Sequence, residues 1–253
     1  MSIKAINQSC ITKIKNYYCF AKLQAEDIVA VFSDRSLDLG FKNNPCLIEN
    51  RKIFLENLSI GYYSLVCLKQ PHEARIKRAR FCDLGRGALD YTDALNDYDA
   101  FITNEKDLPL AIFTADCLPI FVFDPLNKAI GLAHAGWRGS RAGIAKNTIS
   151  AMITEFNSHP QDLIVAFGPC ICRNCYLVSN EFKNYFSDGL TEKDGKLYLD
   201  LIKINRSQLE AAAVNKENII ESGLCTSCNN QEFFSYRKEG PSCGRMMSVI
   251  MLK

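Results

Sequence analysis

The sequence has little excess charge, few histidines and no long apolar run. Its 30 Lys and Arg residues nearly balance 28 Asp and Glu residues, which leaves a formal net charge of +2. No basic tail or stripe indicates nucleic-acid binding, and no acidic block indicates a disordered arm. We therefore expect no nucleic-acid partner.

The longest apolar region, 108–123, is interrupted by Asp116 and Pro119. It is too short and too polar to span a bilayer, since a membrane helix needs about 20 apolar residues. The N-terminal stretch MSIKAINQSCITKIKNYYCF also lacks the continuous apolar core of a signal peptide. These absences predict a cytoplasmic protein that has no membrane partner.

Cysteine, in contrast, is abundant, with 12 residues. A chain of 253 residues can build a core without crosslinks, and it lacks an export signal, so a disulfide framework is not expected. Isolated cysteines such as Cys19 and Cys67 lie among apolar neighbours, which predicts small buried residues. Cys117 and the cysteines at 170–175 and 225–228 need another explanation.

Short strand-like runs alternate with helical patterns along the chain. Several runs are almost continuously apolar, which is typical of strands buried on both faces. The predicted strands are 27–33, 62–68, 99–103, 109–115, 118–124, 129–135, 162–168 and 247–252, and the predicted helices are 47–56, 141–157 and 205–214. This alternation predicts an α/β fold in which helices cover the sheets. Short turns within 109–135 favour antiparallel neighbours, so we expect a mixed sheet.

Two histidines and one cysteine lie at the ends of predicted strands. His72 follows SLVCLKQP, Cys117 lies between two strand-like runs, and His134 is near the end of AIGLAHA. Residues at strand ends converge on one rim of a sheet, where sites usually lie. Two imidazoles and a thiolate are a suitable set for catalytic zinc, because three protein ligands leave a fourth position open. The alternative to a zinc site is that His72 and His134 are structural residues held by hydrogen bonds. The third histidine, His159, is expected at the surface.

The same side chains allow a second interpretation. Cys117 would act as a nucleophile and His134 as its base, with Asp116 or another polar group orienting the imidazole. This arrangement predicts a cysteine hydrolase or amidase, and it requires contact between Cys117 and His134 together with a lowered thiol pKa. Both interpretations stay open from the residues alone.

Three arginines lie close to predicted strand or helix ends. Arg138 is in GWRG, just before a predicted helix, Arg237 is in FFSYRKEG, and Arg245 is in SCGRMMSV. Together they would bind a phosphate or a carboxylate. The alternative is that they are ordinary surface residues, with Arg138 in a strand-to-helix turn.

A second group of cysteines has the character of metal ligands. CICRNC contains Cys170, Cys172 and Cys175, and CTSC contains Cys225 and Cys228. Two such closely spaced groups would form a structural zinc site. The number of residues between the two groups differs from that in standard zinc-binding motifs with paired cysteines. The alternative to a zinc site is therefore a set of buried thiols that pack together in a reducing compartment.

The stretches TADCLPIFVFDP and AIGLAHAGWRGSRAGI resemble the signature of the YfiH-like family, also called the laccase-domain, multicopper polyphenol oxidase or peptidoglycan-editing-factor family. The resemblance extends from about residue 28 to the end of the chain. It implies one domain over 1–253, built as an α/β/β/α sandwich of mixed sheets with outer helices, related to the cytotoxic necrotizing factor catalytic domain. It also implies that His72, Cys117 and His134 bind one catalytic metal, usually zinc.

The resemblance further implies a zinc-dependent purine nucleoside phosphorylase. The substrates would be adenosine, inosine, guanosine or methylthioadenosine with phosphate, and adenosine deamination is implied as an additional activity. A copper-dependent polyphenol oxidase is an alternative, but three histidines cannot supply several copper centres, so at most one copper would bind. The remaining hypotheses are a cysteine hydrolase, a peptidoglycan-precursor quality factor and a non-enzymatic binding module.

The sequence departs from the family pattern at three places. QPHE replaces QVHG, and Pro71 restricts the backbone of Gln70 before His72. A Gly-rich loop is shortened to SDRSLD, and Leu177 stands where the family has a glutamate. We expect these changes to affect the choice of substrate more than the binding of metal.

Overall fold

The computed structural model describes residues 10–24, 27–42 and 44–253. The strands are β1 Ile11–Ile14, β2 Tyr17–Phe20, β3 Ile28–Ser33, β4 Val66–Cys67, β5 Ile76–Arg78, β6 Ala100–Thr103, β7 Leu110–Thr114, β8 Leu118–Asp124, β9 Ala129–Ala135, β10 Ile164–Phe167, β11 Leu177–Val178, β12 Leu190–Lys193, β13 Lys196–Leu199, β14 Ile219–Glu221 and β15 Met246–Leu252. The α-helices are α1 Ala21–Gln24, α2 Leu47–Glu56, α3 Trp137–Arg141, α4 Ile144–Phe156, α5 Leu201–Ala211 and α6 Tyr236–Glu239. In the described ranges, no helix is long and apolar enough to cross a membrane.

The strands form two large sheets and one small sheet. The first sheet has the order β1-β2-β3-β15-β7-β4, the second has the order β14-β10-β8-β9-β6-β5, and the small sheet has the order β11-β13-β12. In both large sheets most neighbours are antiparallel, but β4–β7, β5–β6 and β10–β14 are parallel. The expectation of mixed sheets is therefore confirmed.

Alternating side chains build two separate cores on either face of the second sheet. In β8, Phe121 and Phe123 pack between the two large sheets, together with Phe32 from the first sheet. Ile120 and Val122 point the other way and pack with Ile149 and Met152 of α4. This alternation is the period of two that a strand imposes.

Helix α2 covers the outer face of the first sheet. Its Phe54 and Leu55 pack with Phe113 of β7 and Val249 of β15. Helices therefore lie outside both large sheets, as the α/β/β/α prediction requires.

The structure corrects the prediction for the neighbours of β7. The short turn after β7 does not make β7 and β8 antiparallel partners, because β7 pairs with β15 and β4 in the first sheet. The chain crosses from one sheet to the other at residues 115–117. Only β8 and β9 form the expected hairpin, in which Leu118 lies opposite Ala135 and Pro119 opposite His134.

Two predicted helices have different bounds in the structure. The predicted helix 141–157 corresponds to α4, which begins later, at Ile144, because Gly143 before it has a left-handed φ of 83°. Arg141 is instead the last residue of α3. The predicted helix 205–214 begins earlier, at Leu201, because the Asp200 side chain accepts a hydrogen bond from the backbone N–H of Lys203.

One predicted strand is shorter in the structure. The predicted strand 62–68 is reduced to Val66–Cys67.

Candidate metal centre and active site

The structure brings His72, Cys117 and His134 together. Their ligand atoms all lie within 4.8 Å of one another, and the two imidazole centroids are 4.8 Å apart with an angle of 83° between the rings. Cys117 and His134 lie at neighbouring strand ends, because β8 and β9 are paired there. His72 reaches them from the loop between β4 and β5.

Asp99 supports the two histidines, although no sequence pattern pointed to it. Its buried carboxylate accepts a hydrogen bond from Nδ1 of His134 at 2.9 Å. It also accepts hydrogen bonds from the backbone N–H groups of His72 at 3.0 Å and Glu73 at 2.6 Å. A carboxylate in this position fixes the tautomer of a histidine and leaves Nε2 for a metal.

The loop that carries His72 has strained backbone. Gln70 and His72 have φ values of 50° and 69°, in the left-handed region that non-glycine residues rarely adopt. The Gln70 side chain pairs with both backbone groups of Phe113: it donates to the carbonyl at 2.9 Å and accepts from the N–H at 2.8 Å. These bonds, together with those to Asp99, keep the loop against the ends of β7 and β6 despite its strain.

Two glycines of the GWRG stretch allow the loop and the trio to approach closely. A Cβ atom at Gly136 would lie 3.0 Å from Sγ of Cys117 and 3.2 Å from Cδ2 of His72. A Cβ atom at Gly139 would lie 2.8 Å from the carbonyl oxygen of Glu73. The need for glycine at these positions is therefore steric.

The thiol and the imidazole change each other's pKa. Burial raises the pKa of Cys117, but the charge of His134 and hydrogen bonds from His134 and His72 outweigh burial and lower the pKa to about 6. Burial lowers the pKa of His134, but the Cys117 charge and Asp99 outweigh burial and raise the pKa to about 9. The metal-free pair therefore favours a thiolate beside an imidazolium near neutral pH.

The second interpretation named Asp116 or another polar group as the orienter of His134, and the structure has the other polar group, Asp99, in that position. Asp116 makes different bonds. Its carboxylate accepts hydrogen bonds from the Thr226 hydroxyl at 2.6 Å and from the backbone N–H of Arg237 at 2.7 Å. Its carbonyl accepts from the N–H of Ile171 at 2.9 Å. Asp116, the residue beside Cys117, thus contacts three distant segments of the chain, while Asp99 contacts the imidazole of His134.

Two of the three predicted arginines are attached to segments that contact the trio. The guanidinium of Arg237 lies over the Tyr176 ring, 5.3 Å from its centroid, and donates to the carbonyl of Leu177 at 2.9 Å. Burial raises the pKa of Tyr176, the negative charge of Cys117 adds to this effect, and the charges of Arg237 and Arg138 oppose it. Arg237 also donates its backbone N–H to Asp116, which directly precedes Cys117. Arg138 is two residues after Gly136, which lies against Sγ of Cys117.

The guanidinium of the third arginine, Arg245, is hydrogen-bonded within its own loop. Its guanidinium donates to the carbonyls of Cys243 at 2.7 Å and Gly244 at 2.9 Å. Arg138, in contrast, is exposed and lies over the Trp137 ring, 4.3 Å from its centroid. The structure therefore leaves Arg138 and Arg237 freer than Arg245 to contact an anion.

Comparison with known proteins identifies relatives over most of the chain. The family described as multi-copper polyphenol oxidoreductase laccase matches residues 31–253. Purine nucleoside phosphorylase YlmD of Geobacillus stearothermophilus is 36% identical over 227 residues, which are 85% of this chain and 83% of that protein. A protein named adenosine deaminase RL5, from an unknown prokaryotic organism, is 30% identical over 220 residues and 82% of each chain.

A solved structure has the same fold. The crystal structure of YlmD from Geobacillus stearothermophilus matches with a TM-score of 0.92 and 30% identity, over 97% of this chain and 99% of that chain. The α/β fold of mixed sheets and the resemblance stated from the sequence motifs are both confirmed.

Proposed function

The chain belongs to the multi-copper polyphenol oxidoreductase laccase family, and from this premise we propose that it is a zinc-dependent purine nucleoside phosphorylase. Its substrates would be phosphate and a purine nucleoside, such as adenosine, inosine, guanosine or methylthioadenosine. The relative named purine nucleoside phosphorylase supports this activity. The observation that supports it most directly is the convergence of His72, Cys117 and His134, with Arg237 bonded through its backbone to Asp116 beside Cys117.

The donor set of the trio fits zinc. Two imidazoles and one thiolate are ligands that zinc prefers, and three protein ligands leave one position for a substrate or water. Asp99 holds His134 in the tautomer that presents Nε2, and Gly136 leaves room for the three side chains to meet. When bound, zinc would supply Lewis acidity at its open position.

The surrounding side chains supply the charge that phosphorolysis needs. In this reaction a phosphate oxygen replaces the purine at the ribose C1′ carbon, and the N-glycosidic bond breaks. Arg138 and Arg237 would bind the phosphate, because a guanidinium donates two parallel hydrogen bonds to an anion. Tyr176, whose raised pKa keeps its phenol protonated, would donate a hydrogen bond to a substrate oxygen.

Adenosine deamination is a second candidate activity. The relative named adenosine deaminase RL5 is similar to this chain over 82% of its length. Deamination replaces the amino group at purine C6 with oxygen from water, releases ammonia and needs no phosphate. The requirement for phosphate therefore separates the two activities.

Copper oxidation and cysteine hydrolysis are alternatives to zinc chemistry at the same residues. The family description favours copper, but His159 is exposed and the trio contains only two histidines, so several copper centres cannot form from imidazoles. The lowered pKa of Cys117 beside His134 favours a cysteine hydrolase.

One experiment separates these activities. Purified protein is analysed for zinc and copper and incubated with adenosine and inosine, with and without phosphate. Phosphate-dependent release of free base and ribose 1-phosphate is the expected result. His72→Ala and Cys117→Ala should lose the metal of the trio and turnover, whereas His159→Ala, an exposed histidine outside the trio, should retain both. Full activity of the two trio variants would refute the proposal.

A further inference from the structure

Four cysteines meet at a second place in the structure. The pairs come from CRNC (172–175) and CTSC (225–228), and residues 176–224 separate them. Their sulfur atoms all lie within 4.8 Å of one another. The four residues are Cys172, Cys175, Cys225 and Cys228.

Backbone N–H groups point at one of these sulfur atoms. Sγ of Cys225 accepts hydrogen bonds from the backbone N–H of Cys172 at 3.2 Å and of Cys228 at 3.3 Å. Such bonds stabilise negative charge on sulfur, which is the form in which cysteine binds metal. The two loops are also joined by backbone pairing between Cys170 and Cys225.

Cys170 itself is not a member of the cluster. Its side chain is buried in the core beneath α4, with 2% of its surface exposed. Five cysteines are candidates for a second metal site from the sequence, and the structure brings four of them together.

We propose that Cys172, Cys175, Cys225 and Cys228 bind a structural zinc ion. Four sulfur ligands in two C-x-x-C pairs are typical of closed, tetrahedral zinc sites. With zinc–sulfur bonds of about 2.3 Å, tetrahedral ligands lie about 3.8 Å apart. The sulfur atoms of Cys175 and Cys228 are 3.4 Å apart, and all six pairs are below 4.8 Å, so the cluster has nearly this size.

Zinc requires no redox reaction at this site. Binding of Zn²⁺ releases the thiol protons to solvent, and the four sulfurs remain reduced. A disulfide would instead form a bond of about 2.05 Å between two sulfurs and would need an oxidant that accepts two electrons. An iron–sulfur cluster also uses four cysteines, so metal analysis must distinguish iron from zinc.

The proposed ion would hold one wall of the candidate active site. Ile171, beside Cys172, donates to the carbonyl of Asp116, and Thr226, beside Cys225, donates to its carboxylate. Asp116 directly precedes Cys117, and Tyr176 directly follows Cys175. Zinc would therefore fix the two loops relative to each other where both contact Asp116, the residue before Cys117.

The test counts metal ions in the full-length protein, purified under reducing conditions without added metal. Elemental analysis should find about two zinc ions per chain in the unchanged protein. Cys175→Ser/Cys228→Ser should retain about one, and Cys82→Ser, an exposed cysteine outside both sites, should retain two. The double variant His72→Ala/Cys117→Ala should also retain one.

X-ray absorption of the His72→Ala/Cys117→Ala variant then isolates the second site, even if the cysteine variants do not fold. A shell of sulfur ligands at about 2.3 Å from zinc is the expected result. The proposal is overturned if this folded variant contains no zinc, if it contains iron, or if mass spectrometry finds a disulfide among the four cysteines. Full turnover of this variant, with the second zinc retained, would count against the proposed function of the trio and leave the second site unaffected.

Discussion

The carboxylate of Asp99 accepts a hydrogen bond from Nδ1 of His134 at 2.9 Å, and both side chains are buried. Asp99 precedes β6, which pairs with β9, so the sheet itself brings the carboxylate beside the histidine. This pair connects the second sheet to the candidate metal centre, because the same carboxylate accepts the backbone N–H of His72.

Asp99→Asn should weaken the binding of metal to the trio. The amide cannot accept at both of its polar atoms, so it loses a bond to His134 or to the loop of His72. Loss of such a supporting carboxylate typically costs about 10-fold to 100-fold in metal affinity. Titration with a zinc chelator measures the change. Asp97→Asn, an exposed aspartate in the same loop, is the control, and equal affinities of the two variants would contradict this role.

Gly136→Ala should disturb the trio without unfolding the protein. The new methyl group would press on Sγ of Cys117 and on the His72 ring, so the ligands must move apart. A displacement of about 1 Å at a reacting centre costs about 100-fold in turnover. Turnover and bound zinc are measured together with circular dichroism. In Gly61→Ala, the new methyl group meets only the Tyr63 side chain, which is exposed, so this variant should behave like the unchanged protein.

Alkylation of Cys117 in the metal-free protein should depend on pH around the lowered thiol pKa of about 6. The thiolate is the reactive form, so the rate should fall as the pH decreases through this value and level off above it. In His134→Ala the imidazolium that lowers the pKa is absent, so the midpoint should move to higher pH. Peptide mapping by mass spectrometry after iodoacetamide treatment measures the rate at Cys117 separately from the remaining cysteines. An unchanged midpoint in the variant would show that His134 does not lower the pKa.

Arg138→Ala and Arg237→Ala should each raise the KM for phosphate. A hydrogen bond to a charged group contributes about 1.5–3 kcal/mol, which corresponds to about a 10-fold to 100-fold change. The KM for nucleoside should change less, because the lost charge faces the anion. Arg141→Ala is a matched control, since this arginine lies over Tyr185 on the same short helix as Arg138. If Arg141→Ala raises the phosphate KM as much as the first two variants, the assignment of the phosphate site is wrong.

The sequence motifs and the apolar patterns predicted most of the central strands. The runs 118–124 and 129–135 coincide with β8 and β9, and 47–56 coincides with α2, because these segments have strong local patterns and clear ends. The short strands β5, β11 and β14 were not predicted, since two or three residues give no measurable period. Their pairing depends on neighbours that are distant in the chain.

The sequence by itself determined the strand ends that carry Cys117 and His134, since the two apolar runs and the turn between them define a hairpin. Only the tertiary structure decided which polar groups serve the site. Asp99 meets His134 through sheet pairing, and Asp116 is held by Thr226 from a distant loop. These contacts depend on how the two sheets pack and on where the chain crosses between them. Neither property can be predicted from the periodicity of apolar residues within one segment.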